Sequence, residues 1–214
     1  VLALVGKGKI AVIKSTIIPG TCEKLQKLYP DIYLFHSPEF LTEKNAAYDA
    51  AHPSRNIIGY PIENEEYKKR AQEILDILPS SPLNLICHAK EAEIIKYASN
   101  SFLYLKVLQA NILYDLAKQE GSDWEVIKKG IAADSRIGAS HLNPVHSSGL
   151  SNKPGRGAGG HCFIKDFAAL VQYARAQALD QESLDFLESA ERKNLALLRE
   201  SGKDEDLVEE IYGE

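Results

Sequence analysis

Leu83-Asn84-Leu85-Ile86-Cys87-His88-Ala89-Lys90-Glu91-Ala92-Glu93-Ile94-Ile95-Lys96 is the stretch on which the reading of the fold turns. Its first five residues form a short apolar run of strand type. From Lys90 to Gln119 there is neither proline nor glycine. Within that run Ile94, Tyr97, Ala98, Phe102, Leu105, Leu108, Ile112 and Leu116 recur at three- and four-residue steps, the period of one helix face. A helix of roughly 30 residues is about 45 Å long. It needs partners along that length, so it is expected to join two halves of the chain and to engage a second subunit.

Upstream of the switch, residues 9–14, 32–36, 56–60 and 83–87 read as strands, with helical stretches at 21–29 and 64–78. Asn64 is a candidate N-cap for the second helix. Strands alternating with helices predict a Rossmann-like parallel sheet, whose ligands lie beyond the carboxyl ends of the strands. Ser15-Thr16 and Ser37-Pro38-Glu39 sit at such ends. Downstream, Gly121 ends the long helix, and Ser122 or Asp123 caps a shorter one to about residue 133. A glycine-rich loop carrying His141 and His146 follows, and then helices at about 163–178 and 181–200. The fold class is α/β followed by all-α: residues 1–88 as the remainder of the sheet domain, 89–201 as a helical dimerisation and catalytic domain, and 202–214 as a peripheral tail.

Composition narrows the function. The 214 residues are 44% hydrophobic and 26% charged with a net charge of −5. That balance predicts an ordinary globular core and no nucleic-acid partner, because a phosphate-backbone binder presents a basic face. No apolar run approaches the roughly 18 residues of a membrane span. Three widely spaced cysteines fit a reducing compartment rather than a disulfide framework. The expectation is therefore a soluble cytoplasmic protein. Methionine is absent, and residues 1–6 read as the end of a helix, so further sequence is expected upstream.

The chemistry concentrates in Gly155-Arg156-Gly157-Ala158-Gly159-Gly160-His161-Cys162-Phe163-Ile164-Lys165-Asp166. A cysteine at a helix start feels the positive end of the macrodipole, and a lysine in the first turn favours a thiolate further. By itself Cys162 is either such a nucleophile or a small buried apolar side chain beside a capping loop. A rival constellation, His141, His146, His161 and Cys162, has metal-binding residue types but no standard zinc spacing, so no metal is expected.

This run resembles the catalytic loop of the UDP-glucose/GDP-mannose dehydrogenase family, G-F-G-G-S-C-F-x-K-D, with Ala158 and His161 as departures. In the same order, residues 14–21 resemble K-S-T-V-P-x-G-T and residues 37–43 resemble N-P-E-F-L-x-E. Residues 53–59 resemble P-x-R-x-V-x-G, 93–103 E-x-x-K-x-x-x-N-x-F-L, and 134–138 D-x-R-I-G.

The resemblance implies oxidation of a nucleotide-sugar C6 alcohol to the carboxylate with NAD, in two steps joined by a cysteine adduct. It implies Cys162 as nucleophile, with Lys96 and Asn100 stabilising the oxyanion and holding the sugar. Asp166, Glu43 and Thr16 would handle protons and the hydrolytic water. Ser15, Thr16, Glu43 and Lys165 would contact NAD. Glu39, Phe40, Leu41, Arg136 and Gly159 would line the substrate site, with Lys153 and Arg156 adding charge near a diphosphate. A homodimer through the central helices is implied too. The family's G-x-G-x-x-G does not occur in the sequence: Gly6-Lys7-Gly8-Lys9 lacks its third glycine and a preceding strand. The family's C-terminal nucleotide-binding domain has no counterpart after residue 200, so a non-catalytic dimerisation module derived from such an enzyme is the alternative.

Overall fold

In the first half, β-type runs become strands and amphipathic runs pack on them. The order is β1 (Ile10–Ile13), α1 (Thr21–Leu28), β2 (Tyr33–His36), a 3-10 turn (Glu43–Asn45), α2 (Ala46–Ala51), β3 (Asn56–Tyr60), α3 (Glu65–Ile77) and β4 (Asn84–His88). A 3-10 turn at Leu2–Leu4 precedes them. The 31-residue α4 (Ala89–Gln119) follows β4 without a break. The computed structural model describes residues 1–149 and 153–213. It divides into two units, Val1–Ala98 and Ser99–Glu214, with the division inside α4.

The sheet has the expected parallel pairs, joined by one antiparallel contact that the sequence does not predict. β1 pairs with β2 in parallel from Ile10↔Tyr33 to Ile13↔His36, and β3 pairs with β4 in parallel from Asn56↔Asn84 to Tyr60↔His88. The two pairs meet antiparallel at His36↔Gly59. A parallel crossover needs an intervening element packed on the sheet. The 37–55 connection offers only a 3-10 turn and six-residue α2, neither of which buries a residue.

One face of the sheet packs Phe35, Ile58 and Tyr60 against Tyr67, Ala71 and Ile74 of α3. That helix starts where expected, Asn64 Oδ1 accepting the Tyr67 amide at 2.9 Å. The other face buries Leu34 with Cys22 and Ala89, and Ile57 with Cys87 and Ala92. Gly59 is required there: a Cβ would lie 2.8 Å from Ala89 Cα and Ala92 Cβ.

In the second unit, the remainder of α4 is joined by α5 (Trp124–Ala132), β5 (Val145–Ser147), β6 (Pro154–Arg156), α6 (His161–Ala176), α7 (Gln181–Ser201) and α8 (Glu205–Tyr212). Asp123 caps α5, accepting the Glu125 amide at 2.8 Å. Tyr104, Val107, Leu108, Phe167, Val171 and Leu197 form its main core, with Tyr104 and Phe167 stacked at 3.8 Å between ring centroids. Trp124, Ala110, Ala117 and Leu142 form a second cluster.

Two features of this unit differ from the sequence reading. The loop before Cys162 contains an antiparallel hairpin, Val145↔Arg156 to Ser147↔Pro154. Its strands hold proline, glycine and serine, so no alternation marks them. The acidic tail is not peripheral: Val208 of α8 is buried against Ile164 and Leu198. Residues 150–152 of the loop and Glu214 of the tail lie outside the described residues.

Candidate active site

The first unit places one set of predicted residues at the carboxyl ends of β1 and β2. Exposed Ser15 and half-buried Thr16 follow β1. Their loop ends at Gly20, where buried Glu93 takes two amides at the start of α1, that of the N-cap Gly20 at 2.5 Å and that of Cys22 at 2.9 Å. Burial raises the Glu93 carboxyl above its ordinary value, and the two amides pull it back.

After β2, Ser37 accepts from Lys14 Nζ at 3.2 Å. A cleft there is lined by Lys14, Ser37, Glu39, Phe40, Leu41 and Arg55. Two cations approach the Phe40 ring: the Arg55 guanidinium lies 3.8 Å from its centroid and Lys96 Nζ 5.4 Å from it. Lys96 also donates to the Glu39 carbonyl at 2.7 Å. Lys96, Glu39, Phe40 and Leu41 are therefore gathered in this unit. Glu43 is exposed at the start of its 3-10 turn.

The second unit builds the cysteine loop. Gly160 (φ +85) precedes α6, and Cys162 is the second residue of that helix, with an exposed side chain. Asp166, one turn on, is buried at 2% exposure; it accepts from Asn100 Nδ2 at 2.6 Å and pairs with Lys165 Nζ at 3.2 Å. Three of the predicted residues thus form one hydrogen-bonded group.

Arg136 is placed elsewhere. Its exposed guanidinium takes both oxygens of Asp134, with Nε 3.0 Å from Oδ1 and a terminal nitrogen 2.6 Å from Oδ2. That contact holds the Asp134 carboxyl below its ordinary range. Arg156, suggested for a diphosphate, is spent on α4: it donates to Asn111 Oδ1 at 3.0 Å and pairs with Asp115 at 2.8 Å.

The glycines of the loop face protein. A Cβ on Gly157 would meet Asn194 Oδ1 at 2.9 Å, and one on Gly159 would collide with Asp204 and Ser148. Asn194 grips the buried Ala158 peptide at both ends, accepting from its amide at 2.7 Å and donating to its carbonyl at 2.9 Å. Lys203 Nζ donates to Gly157 O at 3.0 Å, and Asp204 Oδ2 accepts the Gly160 amide at 2.8 Å. Sequence reasoning missed Asn194, Lys203 and Asp204. They sit in a helix interior and behind a capping glycine, positions that look solvated in a linear reading.

The suggested metal cluster is not assembled. Both nitrogens of His146 are used, Nδ1 by Asn143 O at 2.9 Å and Nε2 by Lys203 at 3.1 Å. No group of three or more metal-binding side chains exists among the described residues. Among those residues, too, no helix is long and apolar enough to cross a membrane.

Comparison with known proteins fits this arrangement. Residues 1–78 match the NAD binding domain of the UDP-glucose/GDP-mannose dehydrogenase family, and residues 90–195 match its central domain. A UDP-glucose 6-dehydrogenase of Rickettsia bellii is 32% identical over 199 residues, 91% of this chain and 43% of that protein. One from Bacillus subtilis is 32% identical over 202 residues, again 91% of this chain and 42% of the relative. A solved UDP-glucose dehydrogenase of Pyrobaculum islandicum superposes with a TM-score of 0.74 at 29% identity, covering 96% of this chain and 45% of that one. The chain spans less than half the length of these relatives. With two matched domains in chain order and the cysteine loop in place, the chain belongs to the UDP-glucose/GDP-mannose dehydrogenase family.

Proposed function

We propose that this chain carries the cysteine-dependent part of an NAD-dependent nucleotide-sugar 6-dehydrogenase, which oxidises the C6 alcohol of a UDP-glucose-like substrate to the uronate. The observation that carries the proposal is the exposure of Cys162 at the start of α6, while Cys22 and Cys87 are buried. NAD, when bound, supplies the two-electron acceptor for each of two oxidations. Between them the Cys162 sulfur adds to the C6 aldehyde carbon and holds it as a thiohemiacetal. The second oxidation leaves a thioester; water cleaves its C–S bond, releasing the carboxylate and returning the thiol.

The other residues divide by unit. In the second, Asn100 steadies the developing oxyanion from a side chain fixed by Asp166. Both oxygens of Asp166 are engaged by Asn100 and Lys165, so it acts as charge partner, and the proton traffic passes to Glu43 and Thr16. In the first, Lys96 adds positive charge, and Glu39, Phe40 and Leu41 line the sugar cleft. Arg136 is assigned to the nucleotide phosphates on its exposure, and Gly159 to the backbone beside the substrate.

The residues fit NAD in part. The hydroxyl-bearing Ser15-Thr16 loop follows the carboxyl end of β1 and suits the nicotinamide side, with Glu43 and Lys165 as further contacts. A dinucleotide pyrophosphate sits on free helix amides. At the start of α1 the Gly20 and Cys22 amides are taken by Glu93 and the Thr21 amide by the Ile18 carbonyl, so none is assigned there.

A homodimer is part of the proposal. Phe102, Leu105, Ile112, Ile137, Phe186 and Ala190 line an apolar groove in the second unit, with Phe102 77% and Phe186 60% exposed. Exposed apolar area of this kind marks an interface, and a second copy is its occupant. A cytoplasmic location is part of the proposal, and the three free cysteines support it.

Incubation with NAD and a panel of UDP- and GDP-sugars tests the reaction. NADH should form at two per uronate, and Cys162→Ser should abolish uronate formation. Full activity in Cys162→Ser, or no NADH from any sugar, overturns the proposal.

A further inference from the structure

Beyond the residues already given roles, two consecutive side chains behind the cysteine loop have no local structural task. Lys203 follows Gly202, the left-handed residue that ends α7. It is 1% exposed, yet its ammonium reaches across to the Gly157 carbonyl at 3.0 Å and to His146 Nε2 at 3.1 Å. His146 donates from Nδ1 to Asn143 O, which leaves Nε2 as an acceptor for the lysine.

Asp204 is the more telling of the two. It stands at φ +54, ψ +37, a left-handed conformation that a residue with a Cβ adopts at a cost. It precedes α8 in the N-cap position, yet its side chain caps nothing in α8. Its carboxylate takes the Gly160 amide at 2.8 Å, immediately before the helix that bears Cys162.

The loop is cleared to receive both residues. A Cβ on Gly155 would lie 2.6 Å from Lys203 Cβ, and one on Gly159 would collide with the Asp204 carboxylate and lie 2.6 Å from Lys203 Cε. With Asn194 on the Ala158 peptide, residues 157 to 160 are held at both ends and in the middle. We propose that Lys203 and Asp204 are positioning residues, a strap that fixes the backbone ahead of α6 and so sets where Cys162 presents its sulfur. The strap acts through Gly157 and Gly160. It rests on Cys162 being the nucleophile, but it is tested without turnover.

The experiment is the rate of iodoacetamide alkylation of Cys162 in the folded chain, read by mass spectrometry. Asp204→Gly and Asp204→Asn both remove the charge and both accept a left-handed backbone, but only asparagine keeps an acceptor for the Gly160 amide. Asp204→Gly should label about fivefold more slowly than Asp204→Asn, the weight of one ordinary hydrogen bond. Lys203→Met, which frees Gly157 and leaves the Asp204 carboxylate unbalanced, should label about fivefold more slowly than the parent. Trp124, the single tryptophan and buried in the same unit, reports whether each variant is folded. If Lys203→Met unfolds, the Asp204 pair decides alone.

Equal labelling of folded Asp204→Gly and Asp204→Asn overturns the strap. A slower Asp204→Gly in a chain that oxidises no sugar leaves the strap standing while the dehydrogenase proposal falls. Turnover with equal labelling does the reverse.

Discussion

Cys22 and Cys162 occupy the same place in two helices, one in each unit. Each is the second residue after a glycine of positive φ, 91° at Gly20 and 85° at Gly160. Neither helix is capped by its own N-cap side chain, and each takes a carboxylate from far along the chain: Glu93, 71 residues after Cys22, and Asp204, 44 residues after Gly160. There the likeness ends. Cys22 is fully buried, and burial together with Glu93 and Glu23 pushes its thiol up to about 12. Cys162 is exposed. The helix dipole is common to both, so it is solvent access and the reach of the carboxylate that separate an inert thiol from one open to reaction. Glu93 closes on the amide of the cysteine itself, whereas Asp204 stops at the glycine two residues earlier.

The largest expected effect breaks or upholds that contrast directly. At pH 8 a thiol of pKa about 12 is ionised to about one part in ten thousand. Iodoacetamide should therefore modify Cys162 in the folded protein at least about a thousandfold faster than Cys22. Cys87, whose burial pushes its thiol up to about 11, should stay unmodified with it. Peptide mapping after timed quenching checks this. Comparable labelling of Cys22 and Cys162 without unfolding would remove the basis for assigning different tasks to the two helices.

Acid sharpens the comparison at the scale of a few kcal/mol. In each unit burial pushes a histidine far down: His36, fully buried and bonded to Ile13 O at 3.1 Å, and His146 against Lys203, with His141 lowered in the same direction. His36 and His146 are pushed down to about 4 from 6.5. Between those values the unfolded chain binds more protons than the folded one, so stability rises with pH there. The contribution is complete above pH 6.5 and is lost as pH falls to 4, at a slope approaching about 1.4 kcal/mol per pH unit for each histidine. Urea unfolding at pH 7 and pH 4.5 should differ by about 3 kcal/mol per histidine at most. His36→Gln should flatten the loss in the first unit, and His146→Gln the loss followed by Trp124 emission in the second. A flat profile in the parent protein would show that the two rings are not held neutral.

Glu93→Gln probes the tighter of the two distant caps. One oxygen still accepts, but the charge on two helix amides is gone, and a charge-assisted hydrogen bond is worth about 1.5–3 kcal/mol. Desolvation of the carboxylate is relieved at the same time, which places the expected loss near the bottom of that range. The first unit should lose about 1–2 kcal/mol in urea unfolding, with Trp124 emission in the second unit unchanged. No loss at all would mean that α1 needs no help from α4.

Much of this was legible in the sequence, and the rest has physical reasons for its invisibility. The four strands, α3 with its Asn64 cap, the long α4 and the cysteine at the head of α6 follow from periodicity, capping and glycine placement, all local properties. The antiparallel meeting of β2 and β3 depends on whether the 37–55 connection packs on the sheet, which no local pattern records. The β5–β6 hairpin lacks alternation. Lys203 and Asp204 look like solvated charges after a helix-ending glycine, because their partners Gly157 and Gly160 lie more than 40 residues away. The glycines at 155, 157 and 159 of the cysteine loop make room for Lys203, Asn194 and Asp204, which lie far along the chain.

The smallest effect isolates the two cysteines from their chemistry. Replacing Cys22 by alanine removes a sulfur packed among Leu34 and Ala89, and the helix dipole plays no part in the cost, since the thiol there is neutral. A cavity of that size costs about 1 kcal/mol. Alanine at Cys162 removes an exposed sulfur from a helix surface, where alanine is the better helix former, so stability should stay within about 0.5 kcal/mol of the parent. Urea unfolding followed by far-UV circular dichroism measures both. The contrast depends on packing alone: a loss at Cys162 equal to that at Cys22 would mean that its sulfur is buried in solution, and the exposure from which its reactivity is argued would be gone.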